Sequence, residues 1–237
     1  MEPEFVPFER PTTVAKVLRR YKRFLADVEL ADKTQVQVHV PNPGSMQSCF
    51  FPDQLCLLTP HDNPRRKLSW TLEAVQSPSG WIGVNTHRAN GLASRFLNQR
   101  FLDLRSEVTV EQGWRADFTG RDPETGESYL IEVKNISLVR ESVAAFPDAP
   151  TLRGQNHLER MLEALEQGRA CGLLFVIQRT DLNSFHPAFW IDPKFAELFW
   201  KCVEKGIWLA AICFEVSPKG FGFAGAVPLR GRLKAGG

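Results

Sequence analysis

The chain changes its hydrophobic rhythm about a third of the way along. Up to residue 84 the apolar positions recur over short runs with the two-residue period of half-buried strands. Val14 and Val17 mark a strand over Thr13–Leu18, and Phe24–Leu30 alternates in part before a turn at Ala31-Asp32-Lys33. Val36, Val38 and Val40 share one face of Thr34–Val40. Leu55–Thr59, Leu68–Val75 and Trp81–Val84 read as further strands, set apart by Pro and Gly clusters. No segment of this region carries a convincing helical period.

From Asn85 onward the pattern lengthens. Asn85 or Thr86 can cap a helix over Ala89–Gln99, with Leu92, Phe96 and Ala93 on its apolar side. Strands follow at Glu107–Glu111, Trp114–Thr119 and Tyr129–Ser137, the last two joined by the turn Asp122-Pro123-Glu124-Thr125-Gly126. Leu158, Met161, Leu162 and Leu165 form the stripe of a helix over Thr151–Gln167, which Gly168 ends. Gly172–Gln178 is a continuous apolar run, the mark of a strand buried on both faces. A helix over Pro193–Lys205 and a strand over Ile207–Val216 complete the set. The fold class predicted is α/β in the mixed, α+β sense. Residues 1–84 form a small β-barrel, for which the oligonucleotide-binding (OB) type is the natural candidate. Residues 85–237 form a mixed α/β domain.

Composition narrows the picture. Of 237 residues, 43% are hydrophobic and 24% charged, an ordinary globular balance. The longest apolar run, Ile207–Phe214, falls far short of the roughly 20 residues a spanning helix needs. The start, Met1-Glu2-Pro3-Glu4-Phe5, is acidic and lacks the features of an export signal. No membrane association and a cytoplasmic location are expected. The five cysteines never fall in a C-x-x-C spacing and the histidines form no H-x-x-x-H pair, which argues against a zinc site. A hard metal held by carboxylates is not excluded by this. The net charge of +2 announces no polyanion partner, but local charge does more. Arg19, Arg20, Lys22 and Arg23 flank Tyr21 and Phe24, and Arg65-Arg66-Lys67 precedes Trp70. Basic residues interleaved with aromatics attract a nucleic-acid backbone and offer stacking surfaces; the alternative is a charged barrel surface over core aromatics.

The chemistry centres on Asp117 and, fifteen positions later, Glu132-Val133-Lys134. Residues two apart on a strand share a face, so Glu132 and Lys134 point the same way. If the strands around them pair as a hairpin, Asp117 sits beside Glu132. Two adjacent carboxylates repel unless a proton or cation intervenes, and Mg2+ (or Mn2+) suits such a pair. Lys134 can then hold or deprotonate an attacking water. The plainer alternative is a lysine paired with two acids on an exposed sheet face. On the following helix, Gln155 can reach the site end of the sheet, or remain a surface amide. Arg153, His157 and Arg160 share the opposite, polar face, where the arginines either clamp phosphates or stay solvated. His157 reads as a surface or capping histidine, and Asp148 as a turn cap or a neighbour of the site. The loop Asn42-Pro43-Gly44-Ser45-Met46 offers amides to a phosphate, or is only a turn.

Several strings, read together, resemble the sugar fermentation stimulation protein A (SfsA) family. They are Arg20-Tyr21-Lys22-Arg23-Phe24-Leu25-Ala26-Asp27-Val28, Pro41-Asn42-Pro43-Gly44-Ser45-Met46 and Gly83-Val84-Asn85-Thr86 in the first part. Ile131-Glu132-Val133-Lys134-Asn135, Phe146-Pro147-Asp148-Ala149 and Arg153-Gly154-Gln155 with His157-Leu158 follow in the second. The resemblance implies an OB-like barrel ahead of a PD-(D/E)xK nuclease-like domain, DNA binding, and a link to sugar-utilisation genes. It places Asp117, Glu132 and Lys134 on the nuclease-type motif. The family usually has Thr where this chain has Pro43, and Ser-Arg-Ile-Asp-Phe where it reads Trp114-Arg115-Ala116-Asp117-Phe118.

The leading expectation is a DNA-binding protein with a metal-dependent phosphodiesterase site. Asp117 and Glu132 would bind the metal, Lys134 would activate water, and Gln155 would position water or phosphate. Arg19, Arg20, Lys22, Arg23, Arg65, Arg66, Lys67 and Arg153 would meet the nucleic acid. The alternatives are a regulator that binds DNA without cutting it, and an enzyme acting on a small phosphate ester.

Overall fold

The computed structural model describes residues 5–61, 67–111 and 113–231. A short strand, β1 (Val6–Pro7), precedes β2 (Thr13–Tyr21), β3 (Leu25–Glu29), β4 (Gln35–His39), β5 (Leu55–Pro60) and β6 (Trp70–Ser77). β2 pairs antiparallel with both β3 and β5, β3 with β4, and β5 with β6. A parallel contact between β4 and β6 at His39 and Thr71 closes the ring. This is a closed, five-stranded OB-type barrel. The alternation read from the sequence fills it: Ala15, Val17, Ala26, Val28 and Val38 all face inward. β5 and β6 bury both faces, because Cys56, Leu58, Leu72 and Val75 line the barrel while Leu57 and Ala74 face the second core. A register shift at Leu57/Leu58 accompanies this double duty.

β7 (Gly80–Gly83) pairs with β6 and touches the next sheet at Val216 and Trp81. The second region begins with α1 (Arg88–Leu97), then β8 (Leu102–Glu111), β9 (Trp114–Arg121), β10 (Ser128–Ile136), β11 (Leu138–Arg140) and β12 (Val143–Phe146). α2 (Leu152–Glu166), β13 (Ala170–Ile177), β14 (Ser184–Pro187), α3 (Pro193–Glu204), β15 (Trp208–Ser217) and β16 (Gly220–Ala226) complete it. The central sheet runs β15-β13-β10-β9-β8, with β10, β13 and β15 parallel and β9 and β8 antiparallel. β13 is buried on both faces. Leu173, Phe175 and Ile177 pack beneath α2 and α3, while Leu174 and Val176 pack toward α1.

Several elements differ from expectation. α1 starts at Arg88 with His87 at its cap position and no side-chain cap; Asn85 instead accepts the His87 N–H at 3.0 Å, two residues ahead of the cap position. β8 is ten residues long rather than five, with Asp103 and Glu107 at positive φ. The register shifts between Leu102 and Arg105, around Asp103, and again between Thr109 and Glu111, and most of the strand is exposed, so no alternation betrays it. β14 and β16 escaped notice because one is four residues long and the other is glycine-rich.

Buried polar groups tie the barrel to the second core. Glu73 on β6 is 1% exposed and receives Arg88 in two hydrogen bonds, at 2.8 and 3.0 Å. Thr59 and Asn85 donate to the same carboxylate at 2.7 and 3.0 Å. All five cysteines are free and buried. Burial pushes the thiols of Cys49, Cys56, Cys202 and Cys213 up to about 12, and that of Cys171 to about 11. Among the described residues no helix is long and apolar enough to cross a membrane.

Candidate functional site

β9 and β10 pair from Ser128–Arg121 as far as Ile131–Phe118, and there the ladder stops. The next residue on β9 is Asp117. Its carboxylate takes the place of the missing strand partner, accepting the Val133 N–H at 2.7 Å. Its other oxygen accepts a hydrogen bond from Asn90 of α1 at 3.3 Å. Leu130, Glu132, Lys134 and Ile136 alternate toward α2, where Leu130 and Ile136 join the core and Glu132 and Lys134 meet His157. Lys134 Nζ lies 2.6 Å from Glu132 Oε1 and 3.4 Å from His157 Nδ1. His157 Nδ1 also bonds Glu132 Oε1. The three side chains are 12%, 6% and 18% exposed for Lys134, Glu132 and His157.

The electrostatics separate the two acids. Burial pushes the Asp117 pKa up, and the negative charge of Glu132 adds to this; the Val133 N–H, Lys134 and Asn90 only partly offset it. Burial opposes ionisation of Glu132 as well, but Lys134 and His157 hold its pKa below the ordinary carboxylate range. The site thus contains one well-compensated carboxylate and one that is not.

Above it lies a cleft of about 670 Å3 between α2 and the β8–β9 hairpin. Asp117 and His157 reach its wall, together with Arg153, Arg160, Arg115 and Trp114. Trp114 is 5% exposed and also packs in the core, so the large side chain narrows the cleft without closing it. Among the described residues, Arg160 Nη1 is buried and has no hydrogen-bond partner.

α2 is turned differently from expectation. Its polar face, not the edge of its apolar stripe, covers the acidic pair. Leu158, Met161 and Ala164 are buried against the sheet and α3, which rotates His157 onto Glu132 and Gln155 away from it. Gln155 Nε2 donates instead to both oxygens of Asp192, at 2.9 and 3.1 Å. Asp192 caps α3 through the Phe195 N–H and also accepts the Thr151 N–H, so Gln155 serves a helix junction. Gln155→Ala is therefore expected to cost roughly 1.5–3 kcal/mol in urea denaturation, with the activity of the folded fraction retained. His157, read as a surface or capping residue, belongs to the acid–amine cluster. Asn90 was not singled out, since nothing local marks a helix amide that meets a strand carboxylate 27 positions away.

The barrel's basic residues are also sorted by the structure. Arg20 is turned inward, donating to the carbonyls of Arg23, Asn42, Gly44 and Ser45, so it braces loops rather than facing solvent. Arg19 pairs with Asp27 at 2.7 Å and lies over the Tyr21 ring. Lys22 and Arg23 occupy the left-handed tip of the β2–β3 hairpin and are exposed, as is Lys67. Arg65 and Arg66 lie outside the described residues. The Asn42–Met46 loop faces Asp148 of the second region: a Cβ on Gly44 would fall 2.0 Å from Asp148 Oδ2. Burial pushes the Asp148 pKa up while the Met46 and Ser45 amides favour its charge. The loop's amides therefore serve an internal carboxylate.

An OB-type barrel joined to a mixed α/β domain, with an acid–amine cluster where two central strands part, defines the class of protein. Family models locate the chain within it. The model described as "SfsA N-terminal OB domain" matches residues 18–84, and "Sugar fermentation stimulation protein RE domain" matches residues 86–220. The chain belongs to the SfsA family. A sugar fermentation stimulation protein homolog from Shewanella pealeana is 40% identical over 223 residues, covering 90% of this chain and 95% of that one. Another, from Bdellovibrio bacteriovorus, is 37% identical over 219 residues, covering 85% and 90%. The solved structure of Pyrococcus furiosus SfsA in complex with Ca2+ superposes with a TM-score of 0.83 at 21% identity, covering 97% of this chain and 99% of that one, a likeness of fold.

Proposed function

We propose that this protein binds DNA and carries a divalent-metal-dependent phosphodiesterase site of the nuclease type. The observation that carries this reading is the convergence of Asp117, Glu132 and Lys134 beneath a cleft lined with arginines. The donors fit a hard cation such as Mg2+ or Mn2+. Glu132 is buried and Asp117 half-buried, their mutual repulsion contributes to the raised Asp117 pKa, and a doubly charged ion relieves it. Among the described residues no group of three or more His, Cys, Asp or Glu is placed to hold a metal, so an ion here would rest on Asp117 and Glu132 and otherwise on water. The Pyrococcus relative's complex is with Ca2+, another oxygen-seeking ion. Asp117 and Glu132 would hold the metal, which when bound supplies Lewis acidity.

The chain's own groups do the rest. Lys134, fixed by Glu132, orients a water and stabilises charge gathering on phosphate oxygens. His157 holds Glu132 from the helix side. Arg153 and Arg160 reach phosphates, and the unpartnered Arg160 Nη1 is a donor that an anion satisfies. The barrel holds the strand through Lys22, Arg23, Lys67 and the neighbouring aromatics. The site of action is the cytoplasm, and any link to sugar-utilisation genes enters through DNA binding.

One observation favours a binding-only regulator: Glu132 Oε1 is engaged by both Lys134 and His157. Incubation with single- and double-stranded DNA in Mg2+, Mn2+ or EDTA separates the readings. Retarded DNA in all three, with cutting only where metal is present, is the expected result. Salt-sensitive binding without cutting at any metal concentration leaves the regulator. Absence of retardation at low salt turns the reading toward a small phosphate ester.

A further inference from the structure

Phe189 and Trp190 stand side by side in solvent, 49% and 39% exposed. Their rings meet edge to face, with centroids 5.2 Å apart and planes at 88°. They are firmly mounted. His186 is buried beside them, its ring stacked on Phe189 at 6.2 Å and edge-on to Trp190 at 5.2 Å. The backbone turns tightly here, with the Ile191 and Asp192 N–H groups donating to the Ala188 carbonyl at 2.9 and 3.0 Å. On the outer side the Arg140 guanidinium lies 5.9 Å from the Trp190 ring, on a side chain that is 67% exposed.

The position of this pair matters as much as its chemistry. Asp192, two residues beyond Trp190, accepts the Thr151 N–H at 2.9 Å. Leu152 follows Thr151, is 71% exposed and lines the cleft above Asp117. The turn that presents the aromatic rings and the rim of the cleft are therefore joined through one carboxylate.

We infer that Phe189 and Trp190, with Arg140, form a stacking platform for unpaired bases of the nucleic-acid strand that passes through the cleft; this rests on the nuclease reading above. Two rigid rings offer π faces to any base, and Arg140, only loosely paired with the exposed Glu141 at 3.8 Å, supplies positive charge for the intervening phosphate. The cationic cover and the Asp192–Thr151 link to the rim of the cleft that carries Arg153 and Arg160 favour nucleic acid over an apolar protein surface. A duplex keeps its bases stacked on one another and has none to offer. The platform thus gives the site a preference for single strands or frayed ends, which the barrel's exposed basic hairpin does not by itself provide.

The test uses the full chain and two fluorescent DNA probes, a single strand and the matching duplex, titrated at low salt in EDTA. Phe189→Ala/Trp190→Ala is expected to weaken single-strand binding by about ten-fold or more while duplex affinity stays the same. Trp190→Phe, which keeps a ring, should retain most of the affinity, and Arg140→Glu should weaken single-strand binding without disturbing the fold. Thermal unfolding of each variant checks that the fold persists. Equal single-strand affinity in wild type and double variant overturns the inference, as does an equal loss on both probes. A wild-type dimer that the double variant converts to monomer assigns the face to a second copy of the chain and also overturns it. Each of those results leaves the proposed function standing, whereas a wild type that binds neither probe overturns both.

Discussion

Replacing Lys134 by methionine is expected to lower metal-dependent DNA cleavage by roughly 10²–10⁴-fold while leaving DNA affinity nearly unchanged. The amine is 12% exposed and sits behind the cleft wall, so it contributes little to holding the strand. Its neighbours are Glu132 Oε1 at 2.6 Å and His157 at 3.4 Å, and that is where its loss is felt. Methionine keeps the length and apolar stem but donates no hydrogen bond and carries no charge, so water loses its orienting group. A stability cost of about 3–5 kcal/mol accompanies the change, because Glu132 stays buried with one partner fewer. Rates are therefore compared at a temperature where circular dichroism shows both proteins folded. The double variant Glu132→Gln/Lys134→Met separates the two effects: stability should recover and activity should not. A Lys134→Met rate equal to wild type would remove Lys134 from the chemistry.

The parts of this site that the sequence revealed are those set by strand geometry. Glu132 and Lys134 share a face because they are two apart, and the Asp122–Gly126 turn fixes the register that brings Asp117 to them. What the sequence could not show is that the ladder breaks at Phe118 and Ile131, so that Asp117 bonds the Val133 amide instead of merely facing Glu132. Asn90 of α1 donates to the other oxygen of Asp117, a contact made only once the helix has packed. The rotation of α2 was misjudged for a similar reason. Leu162 and Leu165 are half-buried whereas Ala164 is buried, so the true stripe is displaced from the one its larger apolar residues suggest. A small residue can mark the closest approach of a helix because it allows it, and hydrophobicity alone undervalues it.

The barrel was legible for the opposite reason. Strands β2, β3 and β4 bury one face, so Val17, Val28 and Val38 announce themselves by alternation. The basic clusters were not legible as surfaces, since a sequence does not say which arginine turns inward. Arg20 finds four carbonyls, and Arg19 finds Asp27. The hairpin tip, where Lys22 and Arg23 adopt positive φ, remains outward by construction.

Glu73 shows how much a single residue with no motif can carry. Glu73→Ala is expected to destabilise the protein by about 3–5 kcal/mol, a large part of the roughly 5–15 kcal/mol that holds a typical domain together. The carboxylate is 1% exposed and accepts four hydrogen bonds, two from Arg88 and one each from Thr59 and Asn85. Alanine leaves all these donors facing a small void, and the half-buried Arg88 charge keeps only the exposed Glu9 at 3.9 Å. The guanidinium also lies over the Phe8 ring, so its displacement disturbs the second core as well. Glu73→Leu with Arg88→Met replaces the pair by apolar groups of similar volume, and most of the loss should be recovered. Urea denaturation measures both. A cost below about 1 kcal/mol for Glu73→Ala would mean that the joint does not hold the two regions together. The same change reaches the site, because Arg88 opens α1 and Asn90, two residues on, holds Asp117. Glu73→Ala should therefore lower metal-dependent cleavage even in the folded fraction, although Glu73 does not line the cleft.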